Sequence, residues 1–312
     1  MRNPLPPFVI LLAILLFFCQ SDKSSDLEVH IPELQTIDKI FIAYRSGETI
    51  LLQKTGQTWW VNSSYKARPD AIKNLLQTLH LQRIKNIPPH AVADLIIKDI
   101  SVFGAKVEIY SGDNQLKVLY VGGVTADELG THVMLEGNDQ PYVMHIPGFQ
   151  GSLRSRFVMP VDEWRDLSLL PFSRDSLIKM EVKYPQKKLV SFTLTKNNQH
   201  WQVSSEERYA QYERPPNDKL IQAYLTELFS VSLEAFDNSN SIKHNISSSI
   251  LPFCEMIYTL KGNKEFSLRI FTDPADAQKT GQLFIFTSEN DFCVAQERVL
   301  GKIFTGYDYF YH

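Results

Sequence analysis

Apolar side chains recur at every second position in short runs along most of this chain, and the runs come in the same order twice. Lys39-Ile40-x-Ile42 followed by Leu52-x-Lys54-x-x-x-x-Trp59-x-Val61 returns as Lys179-Met180-x-Val182 followed by Leu194-x-Lys196-x-x-x-x-Trp201-x-Val203. Such alternation places one strand face in a core and the other outside it. Turn-forming residues at Ser46-Gly47, Thr55-Gly56, Pro185-Gln186 and Asn197-Asn198 divide the runs, so each copy is expected to open as a three-strand meander. The period then becomes helical. Asp70 is expected to cap a helix with Ile72, Leu75, Leu76 and Leu79 inward, and Asn217 or Asp218 one with Ile221, Tyr224, Leu225 and Leu228 inward.

Two hairpins follow in both copies. Val107 to Tyr110 and Leu116 to Val121 turn at Gly112-Asp113-Asn114, and their echo is Met256 to Leu260 and Phe266 to Phe271 around Gly262-Asn263. Val133 to Leu135 returns through Gly137-Asn138-Asp139 to Tyr142 to Ile146, as Leu283 to Phe286 returns through Glu289-Asn290-Asp291 to Phe292 to Ala295. A short closing helix is expected near 150–157 and 298–304. The pattern thus predicts an α+β fold of two tandem repeats, each a β-meander, a helix, two further β-hairpins and a short closing helix. Repeat unit 1 covers 37–157, a connector 158–176, and repeat unit 2 residues 177–312.

The one long unbroken apolar run stands apart from this alternation. Phe8 to Phe18 is eleven apolar residues, behind Arg2 and ahead of a lone Cys19 and the polar stretch Gln20-Ser21-Asp22-Lys23. As a helix it would cover only roughly 17 Å of a ~30 Å hydrocarbon layer, the dimensions of a signal-peptide core. Leu16-Phe17-Phe18-Cys19 resembles the lipobox of bacterial lipoprotein signals, although bulky Phe18 stands where that motif carries a small residue. The resemblance implies a signal peptide over 1–18, lipidation of Cys19 and a flexible tether over 19–36. Acyl chains at ~0.8 kcal/mol per buried CH₂ would hold the chain to a membrane without a spanning helix. The competing expectation is an uncleaved N-terminal anchor. Both put the protein on a membrane in the bacterial cell envelope, facing out of the cytoplasm.

Composition narrows the partners. Lys and Arg number 32 against 35 Asp and Glu, with no basic run long enough to track a phosphate backbone, so nucleic acid is not an expected partner. Beyond Cys19 only Cys254 and Cys293 remain. An exported compartment permits them to form a disulfide, and two buried free thiols on neighbouring strands are the alternative.

Candidate contact residues follow from the duplication. Trp59 and Trp201 should occupy equivalent places, so Trp60 must face the other side of its strand. There it is either an exposed contact point for a partner or packed under the connector. The loop before the second helix is about six residues longer than its counterpart. Tyr209, Tyr212 and Arg214 within it are expected to form part of an interaction surface, with a disordered insertion as the alternative.

At these residues the chain resembles a known family. A Trp-x-Val strand, a loop and a Leu-rich helix occur twice, joined by Trp164-Arg165-Asp166-Leu167-x-Leu169-Leu170. This is similar to the bacterial envelope family catalogued as domain of unknown function 4340. That resemblance implies an N-terminally anchored accessory or scaffold protein, and a protein partner in the envelope such as a transport system of the ATP-binding-cassette type. It supplies no catalytic residues.

No nucleophile elbow, His-Glu-x-x-His helix, phosphate loop or dinucleotide fingerprint occurs, and no enzyme activity or cofactor is expected. One metal candidate arises from register. A turn centred between Asn138 and Asp139 would set His132 opposite His145, half of a metal site. Glu128, Asp273 and Asp276 lie in loops between hairpins, where carboxylates collect around a cation or a sugar and where solvated acids are commoner. The competing functional class is an exported hydrolase or carbohydrate-binding protein with a site between the two units.

Overall fold

Alternating burial along each run decides which strand face is inside. In Lys39–Tyr44 (β1) Ile40 and Ile42 are buried, and in Thr49–Thr55 (β2) Ile50 and Leu52, paired as Ile40 with Leu52 and Ile42 with Ile50. The computed structural model describes residues 29–198, 200–205, 212, 214–272 and 281–312, without the side chains of 247–249. The apolar run, Cys19, the tether as far as Glu28, Tyr209, Asp273 and Asp276 lie outside the described residues. Among the described residues, no helix is long and apolar enough to cross a membrane.

The strands form two antiparallel sheets, and with the helices make an α+β fold. The first adds Thr58–Val61 (β3), Tyr65–Lys66 (β4), Arg83–Asn86 (β5), Ala105–Ser111 (β6), Asn114–Val124 (β7), Thr131–Leu135 (β8) and Tyr142–His145 (β9), in the order β4-β3-β2-β1-β6-β7-β8-β9-β5. The second holds Leu177–Lys183 (β10), Phe192–Asn197 (β11), His200–Ser204 (β12), Ala235–Phe236 (β13), Cys254–Leu260 (β14), Lys264–Thr272 (β15), Gln282–Thr287 (β16) and Phe292–Gln296 (β17). Its order is β12-β11-β10-β14-β15-β16-β17-β13. Gly56 and Asn198, each turning a meander hairpin, have φ of 62° and 57°, a region that glycine and asparagine tolerate best.

The two expected helices form, with one capping correction. Pro69–Leu81 (α1) starts on Pro69, whose missing N–H costs nothing in a first turn, so Asp70 lies inside the helix instead of capping it. Ala71, Ile72, Leu75 and Leu79 are its buried apolar residues. In Asp218–Leu228, called α4 below, Asn217 is the cap and accepts from the Lys219 N–H at 3.0 Å, with Ile221, Tyr224, Leu225 and Leu228 buried.

Each unit also holds a short edge strand and a second helix that the alternation did not predict. In the first, β5 leads through Pro88-Pro89 into His90–Phe103 (α2), which buries Ala93, Ile96 and Ile100. Ile100 packs so closely on the sheet that a Cβ on Gly122 would stand 2.5 Å from its Cγ1. Val161–Trp164 (α3) then precedes the second sheet. In the second unit β13 leads into Ile242–Ser249 (α5), whose Ile246 joins Phe271, Phe284, Phe292 and Val294 in an apolar cluster of their own. Closing elements follow at Arg154–Arg156 and at Glu297–Leu300 (α6), and a final 3-10 helix, Tyr307–Tyr311, buries Tyr307, Phe310 and Tyr311.

The chain divides into two compact units: the residues through Gln57 with Asp70–Met159, and Thr58–Pro69 with Pro160–His312. The β3–β4 segment thus groups with the second unit. Backbone bonds fasten it there: Ala67 bridges Arg165, the Arg68 N–H donates to the Trp164 carbonyl at 2.8 Å, and the Asp166 N–H to the Lys66 carbonyl at 2.8 Å.

Candidate functional site

The segment Trp164-Arg165-Asp166 is built around one guanidinium. Pro160 opens α3, Trp164 closes it fully buried, and Arg165 leaves in an extended conformation that aims its side chain into the second unit. Arg165 is 5% exposed. Its charged plane lies between the rings of Tyr65 and Phe236, 3.9 and 3.8 Å from their centroids. Its Nη1 donates to Asp162 and Asp291, both at 3.0 Å, and its Nη2 to the second Asp291 oxygen at 2.5 Å. Asn238 completes the set, donating to Asp162 at 3.3 Å and Asp291 at 3.1 Å and accepting from the Phe292 N–H at 2.8 Å. A planar fork suits this bidentate, ring-sandwiched place as an ammonium would not.

Beside this hub opens a cavity of about 570 Å³ within the second unit. Trp60, Tyr65, Phe172, Phe229, Phe236 and Phe266 supply aromatic walls, with Leu169, Leu170 and Leu233 between them. Phe172 is held edge-on against Phe229, Tyr258 and Phe266 at centroid distances of 5.9, 5.5 and 5.6 Å, so that wall is rigid. Lys66 and Asp166 pair at 2.7 Å along the lining. Burial works to raise the Asp166 and Asp291 carboxyls. Hydrogen bonds from Lys66 and Ser168 to the first, and from Arg165 and Asn238 to the second, outweigh it and hold both below the ordinary carboxylate range. Both are therefore ionised and paired at neutral pH, which suits them to shaping a binding surface and leaves neither a proton to donate.

The sign of the pH dependence follows. A carboxyl depressed in the folded state contributes stability that is complete above its unfolded value and is lost as pH falls through the folded one. The second unit should thus hold its urea midpoint from neutrality to about pH 4 and lose it progressively below, with a shallower acid limb in Asp291→Asn. An acid limb identical in parent and variant would contradict the pairing.

Trp60 lines this cavity, half-buried and paired across its strand with Lys66, beside the connector residues Arg165 to Ser173. Tyr212 and Arg214 turn back onto the last residues of the chain. The Tyr212 ring stacks on Tyr311 at 4.3 Å and its hydroxyl donates to Asp308 at 3.0 Å, while Arg214 donates to the Tyr311 carbonyl. Tyr212 keeps 39% of its surface exposed.

Two register expectations are corrected. His132 stands opposite Val143, not His145, because Pro141 has no N–H for the ladder and β9 starts at Tyr142 against Val133. The two imidazoles are left diagonal, on one face. Among the described residues, no group of three or more His, Cys, Asp or Glu is placed to hold a metal. Glu128 sits at φ 58° in a loop organised by its neighbour Asp127. That carboxylate accepts from Thr125, Leu129 N–H and Lys85 and is held down to about 2.

Of the two alternatives for Cys254 and Cys293, the buried free thiols are found, though not on neighbouring strands. Cys254, Ile270, Ile285 and Cys293 make one row across β14 to β17. Three strand spacings of ~4.8 Å separate the cysteines by roughly 14 Å, beyond the 4.4–6.8 Å that a disulfide spans between Cα atoms. Both are buried free thiols, and burial pushes each up to about 12. In the native chain neither should react with a thiol reagent, and in urea both should; rapid native labelling of either would contradict this burial.

Sequence reasoning missed Arg165 as a centre. The motif holding it was visible, but Tyr65 and Asp291 lie 100 and 126 residues away and no local spacing links them. No curated protein and no solved structure matches the chain. A family model matches residues 59–245, more than half of the chain and inclusive of β3, the connector and α4. With that match, the chain belongs to the family described as Domain of unknown function (DUF4340).

Proposed function

We propose that this protein is a membrane-anchored envelope lipoprotein that works as an accessory or scaffold by binding a protein partner, and that the partner's apolar anchor enters the aromatic cavity of the second unit. The observation that carries the reading is the cavity itself, a rigid ring of aromatic side chains whose Arg165, Lys66, Asp166 and Asp291 are already paired with one another. Such a lining favours desolvated aromatic or aliphatic anchors, the side chains that dominate protein interfaces. The signal peptide over 1–18 and the lipid on Cys19 supply the location, supported by the short apolar run that ends on a cysteine. A transport assembly of the ATP-binding-cassette type is the class of partner that the family resemblance suggests.

The scaffold itself is two tandem copies of one unit. β4 aside, the sheets have the same strand order when β1 is matched to β10, β6 to β14 and β5 to β13, and each edge strand leads into a second helix. That agreement supports a duplication, with the cavity formed where the β3–β4 segment of the first copy joins the connector and the second copy.

The test is co-purification from detergent-solubilised membranes. Trp60→Ala should lose the proteins retained by the parent while its melting temperature stays within a few degrees. Recovery of the same proteins by both chains sinks the cavity as the docking site. Cys19→Ser, read separately by lipid labelling, tests the anchor.

A further inference from the structure

We infer that the outward face of α2 in the first unit lies against the phospholipid bilayer to which the chain is tethered; this deepens the lipoprotein reading above and rests on it. The helix is apolar on two sides. Ala93, Ile96 and Ile100 face the sheet, and Val92, Leu95, Val102 and Phe103 form a second stripe in water, with Leu95 71% and Phe103 66% exposed. Ile87, just before the helix, and Val124 and Leu129 in the β7–β8 connection are exposed as well. The stripe and that connection adjoin: the Asp99 carboxylate lies 3.2 Å from where a Gly123 Cβ would stand, and Val92 shares a depression with Ala126. Scattered exposed apolar residues need no explanation, but a contiguous patch marks a surface that meets something.

Position within the chain says what it meets. The first described residues are fastened to the end of α1: Gln82 donates to the Val29 carbonyl at 2.9 Å, and the Ile31 N–H to the Leu79 carbonyl at 2.8 Å. Five residues beyond Gln82 stands Ile87. From Cys19 to Val29 the chain has ten residues, a reach of at most ~35 Å fully extended. A lipid on Cys19 therefore keeps this corner of the first unit beside the bilayer.

The stripe is not something the fold demands. In the second unit, far from the tether in sequence, α5 presents Lys243, His244 and Asn245 and buries Ile246. By helical spacing Asp94 falls on the side away from the stripe, Lys98 borders it beside Leu95 and Val102, and the half-buried Asp99 lies within it, turned toward Gly123 of β7; Lys85 is already paired with Asp127. An apolar stripe with a lysine along its edge, and with Asp99 half-buried against β7, fits the boundary between headgroups and acyl chains.

The experiment places the photo-crosslinker p-benzoylphenylalanine at Leu95 or Phe103 of the full chain, with the exposed Lys264 as control. Membranes containing phosphatidylethanolamine and phosphatidylglycerol are irradiated, and adducts are read by mass. Adducts of one phospholipid at 95 and 103 and none at 264 are expected, lost at 103 when Leu95→Asp is introduced. Crosslinks from 95 and 103 to a second copy or to another protein, or no lipid adduct in chains recovered with the membrane, would overturn the inference. Recovery with the membrane, compared between parent and Cys19→Ser, reads the tether independently. A chain that is anchored but gives no lipid adduct thus separates failure of this face from failure of the lipoprotein reading.

Discussion

Replacing Arg165 by alanine is expected to lower the unfolding free energy of the second unit by about 3–5 kcal/mol, because it strands the buried Asp291 carboxylate without its partner. The two pairs with Arg165 are unequal. Asp291 is met by both guanidinium nitrogens, whereas Asp162 is met by one and is the more exposed of the two acids. Asp291→Ala should thus cost more than Asp162→Ala. Adding Asp291→Ala to Arg165→Ala should cost less than the sum of the single changes, since the second removes the stranded charge. Arg165→Lys keeps the charge but loses the fork and the stacking between Tyr65 and Phe236, and should fall between parent and alanine. Urea midpoints at constant slope measure these differences. Additive single and double variants would show that Arg165 and Asp291 do not act on each other.

Phe310→Ala, two residues from the last, should cost about 3–5 kcal/mol, as much as a deletion in the middle of a core. Phe310 is fully buried and meets Phe192 and Tyr224 edge-on at 5.0 and 5.5 Å, and those two meet each other at 5.8 Å. The removed ring thus faces β11 on one side and α4 on the other, and neither can close the gap without shifting the other. The Asn217 N–H that opens α4 also donates to the Phe310 carbonyl at 2.7 Å, so a collapsed C-terminus would loosen the start of that helix. Thermal melting followed by circular dichroism checks the loss. A shift of less than a degree or so would mean that the final turn is not part of the core.

Strands with strict alternation, and α1 and α4 with a clear apolar stripe, were legible in the residues alone. The same reading passed over β5 and β13 because each is short, and at four and two residues a period of two cannot establish itself. It passed over α2 because apolar residues occupy two sides of that helix and blur its period, and over α5 because Ile242 and Ile246 are its only apolar positions. The pairing of His132 with His145, and the placing of Cys254 and Cys293 on neighbouring strands, failed for another reason. Both depended on which residue faces which across strands, and that is set by where Pro141 lets β9 begin and by how many strands stand between β14 and β17. The cavity was half legible: Trp60 was singled out and the connector's motif was seen, but the rings that face them come from turns and strands far along the chain.

The affiliation of Thr58–Pro69 with the second unit has a consequence for biogenesis. During synthesis Tyr65 emerges one hundred residues before Arg165, and longer still before Asp291. At ordinary ribosomal speeds this early ribbon waits on the order of ten seconds for its guanidinium clasp. Throughout that interval its two tryptophans and its tyrosine are available to chaperones or to misplaced neighbours.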